Sequence, residues 1–154
     1  MKTATRPAYK ARPNIPKFWQ PKVEPKLQLT CKIVHWDLIT DMLYGKSTAF
    51  ALEHWMEAGL TYLQMMRLLA DDSEKFTVES YADMDALMKL IPVVVDRHNA
   101  TKHVYLNEAE LVIARAGANL MDQLISMDRH WIAWSARQWS DAQILRINAK
   151  GKNK

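Results

Sequence analysis

Residues 77–91 read TVESYADMDALMKLI, and their spacing decides the fold. Tyr81, Met84, Leu87, Met88 and Ile91 recur at three- and four-residue intervals, the period that gathers side chains on one face of an α-helix. Thr77 stands ahead of the stripe as an N-cap, and Glu79 lies near the positive end of the helix dipole. Pro92 disfavours helical geometry at Ile91, so this helix is expected to end or kink there.

The same period continues on both sides. Before it, helical text begins at Leu29, with Ile33, Trp36, Ile39 (beside Leu38) and Leu43 (beside Met42) on an apolar face that Gly45 ends. Ser47 or Thr48 offers the next N-cap, for a stretch running through Trp55, Leu60, Leu63, Met66 and Leu69 to Asp71. Gly59 leaves residues 48–70 readable as one bent helix or two, because one interior glycine costs only ~1 kcal/mol. Residues 71–76 read as a loop.

Beyond Pro92, Val93 to Val95 has strand-like composition, and its one candidate partner is His103 to Leu106. A two-stranded ribbon alone is marginal, so it is not the expected form. Asn107 with Glu110 fits a capping box in which Asn replaces Ser or Thr. The helix that follows carries Ala114, Ala116, Gly117 and Ala118, small residues that let another backbone approach, and is expected at the centre of the bundle. Ser126 or Asp128 marks a bend before a last helix containing Trp131, Trp134 and Trp139. The expected fold is all-α: a single compact bundle of about five helices over residues 31–147. An extended Pro-rich basic arm (1–30) precedes it, and a basic, frayed tail (148–154) follows it.

Charge is distributed unevenly over these parts. Residues 1–30 carry seven basic side chains against Glu24, and the last seven residues add Lys150, Lys152 and Lys154. The middle holds 11 basic and 16 acidic side chains, a local −5 within a chain of formal charge +4. Attraction to phosphates or acidic surfaces would therefore reside in the ends, with the middle opposing it. Five of the six prolines fall in the first 25 residues and favour extended conformations there. They also argue against an amphipathic mitochondrial presequence, despite the acid-poor, basic composition. Ile15, Phe18 and Trp19, with Val23 and Leu27 following, form an apolar cluster that a plain spacer would not need. It would anchor the arm on its own domain, or dock it on a partner or a second copy of the chain.

Motifs for chemistry are few. The single cysteine, Cys31, rules out an intramolecular disulfide and suits a reducing compartment, so the expected location is the cytoplasm. No apolar run approaches the ~20 residues that span a bilayer, so no membrane association is expected. The five histidines do not fall in His-Glu-x-x-His or Glu-x-x-His spacing, and His54 with Glu57 reads as an ion pair rather than a metal site. His35-Trp36, His54-Trp55 and His130-Trp131 read as buried indoles beside interfacial imidazoles. Cys31, four residues before His35 and near a helix start, is the one place to look for a nucleophile. No phosphate-binding glycine loop is present among four glycines. A helix-turn-helix over residues 60–91 fails on charge, because the second helix carries Glu79, Asp83 and Asp85 against Lys89.

No catalytic residue, metal ligand or cofactor is therefore expected. The expected function is a small non-enzymatic interaction protein that docks on a protein partner, or on its own second copy as a homodimer. Its arm (Ile15, Phe18, Trp19, Val23, Leu27) and a Trp- and Met-containing helical surface would make the contact. The alternative is sequence-independent nucleic-acid binding through Lys10, Arg12, Lys17, Lys22 and Lys26, interleaved with Tyr9, Phe18 and Trp19.

Overall fold

A computed structural model describes residues 23–129 and 131–151. Five helices follow one another: α1 (Pro25–Leu43), α2 (Ala49–Asp71), α3 (Val78–Thr101), α4 (Glu108–Ser126) and α5 (Ile132–Gly151). No strand occurs among the described residues, and the chain is an all-α bundle.

The helix starts obey local chemistry. Thr48 and Thr77 accept hydrogen bonds from the amides of Ala51 and Ser80, satisfying donors that a helix start otherwise leaves open. Asn107 accepts from the Glu110 amide while the Glu110 carboxylate accepts from the Asn107 amide, so the capping box forms with Asn in the Ser/Thr place. α1 starts earlier than its apolar spacing suggests: Pro25 occupies its first turn, where a missing N–H costs nothing. It stops before Gly45, whose φ of +66° is the left-handed geometry that glycine tolerates. α5 continues through Asn148, Ala149 and Lys150, residues with the composition of a tail.

Two expectations are corrected and one open reading is decided. α3 does not end at Pro92 but runs through it to Thr101, so residues 93–95 are helical and not a strand. Pro92 is exposed while Ile91 and Val94 are buried in the core, so packing on the opposite face outweighs the lost hydrogen bond. α2 is one continuous helix through Gly59. A Cβ on Gly59 would lie 2.7 Å from Ile91 Cδ1, so this glycine admits α3 rather than breaking α2. The central element is α2, which packs on all four other helices, whereas α4 packs on α1, α2 and α3. The small residues of α4 do serve close approach: a Cβ on Gly117 would lie 2.8 Å from Leu87 Cδ2 of α3.

Paired residues give the directions. Arg97 meets Glu110, and Leu87 meets Gly117, so α3 and α4 are antiparallel. Lys32 reaches Ser126 and Trp36 reaches Asp122, which sets α1 antiparallel to α4. Glu57 meets Arg137 and Ser140 on α5, the partner along which α2 packs most extensively. The core between these layers is aliphatic and sulfur-rich, with Met42, Met65, Met66, Met84 and Met121 buried among Leu69, Leu87, Val94 and Leu124.

α1 departs from its expected face. Its buried residues are His35, Ile39 and Met42, while Ile33 and Leu43 are exposed. Apolar residues occur on more than one side of this helix, so spacing alone leaves its rotation undetermined.

Candidate functional site

α1 packs on α4 and touches α2 only lightly, and the space left beside it is an open groove of about 530 Å³. One wall is α1, with Leu27, Thr30, Cys31, Val34 and Leu38. The opposite wall combines His54, Ala58 and Thr61 of α2 with Ala133, Trp134 and Arg137 of α5, and Tyr62, Met65 and Ile125 reach its base. Ala58 and Ala133 stand where larger side chains would fill the space. Leu27 (53 %), Val34 (46 %) and Trp134 (39 %) are exposed along it, so apolar surface faces solvent there without cover from the described residues.

The polar groups at the groove are held by their neighbours. His35 is buried, with Nδ1 3.6 Å from Asp122 Oδ1 and its ring edge-on to Tyr62 at 4.9 Å. At that separation the His35–Asp122 contact is electrostatic rather than a hydrogen bond, and neither atom has a hydrogen-bond partner. Burial lowers the His35 pKa, with the Asp122 carboxylate opposing, so the imidazole favours its neutral form. Asp122 Oδ2 accepts from the Trp36 indole at 3.0 Å, which fixes α1 against α4. At the other wall Arg137 donates to Glu57 at 2.9 Å and lies 3.1 Å from Asp141, while His54 is 3.5 Å from Glu57.

Cys31 is no activated nucleophile. It lies in the second turn of α1, not at its start, and burial raises its thiol pKa. Its fourth-neighbour His35 does line the same groove, but as a neutral buried ring. Two His-Trp pairs lie wholly within the described residues, His130 lying outside them, and the two differ. His54 is exposed beside buried Trp55, as the spacing suggests, whereas at His35-Trp36 the imidazole is buried and the indole only half-buried. Trp131 precedes α5 with a φ of +62° instead of sharing a helical face with Trp134. His54 and Glu57 form the expected ion pair. No group of three His, Cys, Asp or Glu among the described residues is placed to hold a metal ion.

Of the arm residues singled out by sequence, Ile15, Phe18 and Trp19 lie outside the described residues, as do Lys10, Arg12, Lys17 and Lys22. Val23 and Leu27 both line the groove. The Val23 amide donates to Asp128 Oδ2 at 2.6 Å, and Asp128 Oδ1 accepts from Ala133 at 2.8 Å. One buried carboxylate thus fixes both the entry to α1 and the start of α5, the two ends that frame the groove mouth. Lys26 is exposed in the first turn of α1.

Sequence reading missed Tyr62, Met65, Ala58, Ala133 and the role of Asp128. The one signal available was the surplus of apolar residues on α1, more than a single buried face needs. Comparison with known proteins found no family model, curated protein or solved structure that matches this chain. No described helix is long and apolar enough to cross a membrane.

Proposed function

We propose that this chain is a non-enzymatic helical interaction protein of the cytoplasm that takes an apolar segment of a protein partner into the groove beside α1. The observation that carries this reading is the open apolar trough with Leu27, Val34 and Trp134 exposed along its walls. Trp134 supplies a rigid aromatic anchor of the kind that apolar recognition favours, above a floor that includes buried Met65. A helical or extended peptide with aliphatic anchors at helical or alternate spacing fits such a trough.

The test is site-specific photo-crosslinking in the cells that express the chain. A photoreactive residue at Val34, in the groove, is compared with one at Val112, an exposed position on α4 outside it. A discrete protein adduct from position 34 and not from 112 is expected, and Trp134→Asp should remove it. Identical adduct patterns from both positions would sink the reading. Salt-sensitive binding of single-stranded RNA by the same chain, lost when Lys10, Arg12, Lys17, Lys22 and Lys26 are neutralised, would favour the nucleic-acid role instead.

A further inference from the structure

Val23 is the point where the N-terminal residues join the bundle, and it lies at the mouth of the groove. Its amide is clamped on Asp128, so the point at which the described chain begins is fixed at the groove mouth. Ile15, Phe18 and Trp19 therefore sit four to eight residues from a groove whose own lining is apolar. We propose that the Ile15, Phe18 and Trp19 segment of this chain occupies the groove of its own bundle, covering the surface until a partner displaces it. This rests on the reading of the groove as a docking surface, and names what regulates it.

The geometry of reach is sufficient. Leu27 to Leu38, the α1 wall, spans eleven residues, or roughly 17 Å at 1.5 Å per residue. Four residues of extended chain cover at most about 14 Å and eight about 29 Å. Trp19 and Phe18 can thus lie against the middle of the trough and Ile15 near its far end, if the chain runs back antiparallel to α1. A cavity of about 530 Å³ is within the ~300–1,000 Å³ that accommodates a ligand of two aromatic side chains.

Three further features favour this occupant. Residues 1–30 carry +6 and residues 31–147 carry −5, so the arm and the bundle attract one another. Pro16 and Pro21 flank the aromatic pair and restrict the free chain, which lowers the entropy lost on docking. A tether of a few residues also gives a local concentration of the order of millimolar, which a separate chain at cellular levels does not match.

Cys31, the single cysteine, lines the groove and makes the test direct. In the full chain, Lys17→Cys places a second thiol beside the aromatic pair while keeping Phe18 and Trp19. Mild oxidation with diamide at dilute protein and slightly alkaline pH, where thiolate forms, joins thiols that dwell close together. The expected product is an intramolecular disulfide. Its rate of formation should fall about tenfold when Phe18→Ala and Trp19→Ala are added, since the tether alone would then hold the thiols near each other. Equal rates with and without the aromatic residues would overturn the proposal. A disulfide-linked dimer as the main product would overturn it in favour of a second copy. Failure here is separable from failure of the docking reading: Val34 crosslinking to a partner can succeed when the arm never enters the groove. Loss of both Val34 adducts and partner binding in the Phe18→Ala/Trp19→Ala chain would instead fault the groove itself.

Discussion

His35 shows how one residue's chemistry follows from its rotation on a helix. Its neighbours in sequence gave it an interfacial role, yet it is buried between Asp122 and Tyr62, with Cys31 one turn away. Because burial lowers its pKa, the unfolded chain takes up a proton near the ordinary value of about 6.5 while the folded chain resists it. Unfolded molecules then bind more protons, so stability is full above that value and falls as pH drops below it. Urea unfolding at a series of pH values should show this loss, and His35→Gln should flatten the slope between neutral pH and the carboxylate range. An unchanged slope would place the titrating group elsewhere. Glu110 contributes in a separate window. The Arg97 guanidinium and the Asn107 amide hold its carboxyl below the usual range against the opposing effect of burial, so its contribution is present above about pH 4.3 and lost in more acid solution. The Asn107 capping box was legible because it is a relation across three residues. The Arg97–Glu110 pair was not, since it joins two helices.

Helices bring a different balance, between backbone preference and contact with a neighbour. Gly117 and Gly59 both admit α3, but what they meet differs. A Cβ at Gly117 would press on Cδ2, Cδ1 and Cγ of Leu87, a fully buried side chain with little room to shift. At Gly59 the nearest atoms are the ends of Ile91 and of half-buried Met88. Alanine gains ~1 kcal/mol of helix propensity at either site, against ~1–3 kcal/mol for overpacking a tight core. Gly117→Ala should therefore destabilise by about 1–2 kcal/mol, and Gly59→Ala should lie near zero. The reverse order in chemical denaturation would mean that the α3–α4 contact yields more readily than the α2–α3 contact. Pro92 gives the complementary case. It is exposed in the interior of α3, where it removes a backbone donor without filling any core space. Pro92→Ala should stabilise by about 2 kcal/mol: the ~3 kcal/mol helix penalty is returned, less the ~0.4–1 kcal/mol of entropy regained by the unfolded chain. A fall in midpoint would show that the proline shapes α3 for its neighbours. Sequence rules left Gly59 open between one helix and two and expected an end or kink at Pro92, because they judge a helix without the surface that packs on it.

At the scale of the whole molecule, the 127–131 connection ties distant segments together. Asp128 binds the amides of Val23 and Ala133, and Arg129 binds Asp72 Oδ2 at 2.8 Å and Glu74 Oε2 at 2.9 Å in the α2–α3 loop. The two residues should not be equal in weight. Asp128 is buried and accepts two amides, so Asp128→Ala should cost about 3 kcal/mol, the range for a pair of hydrogen bonds to a charged acceptor. Arg129 is a third exposed, and solvent screening holds Arg129→Ala to about 1 kcal/mol. Equal losses in urea unfolding would contradict this ranking, and hydrogen exchange at Val23 should quicken only in the Asp128 variant. Local features were legible in the chain alone: helical period, the caps at Thr77 and Asn107, the turn at Gly45, and the segregation of charge toward the ends. Each depends on residues a turn or less apart, or on composition. Packing between helices set which face of α1 is buried, that α2 stands at the centre, and that a groove opens where Ala58 and Ala133 leave space. Those outcomes depend on contacts between residues tens of positions apart, and no spacing rule within one helix carries them.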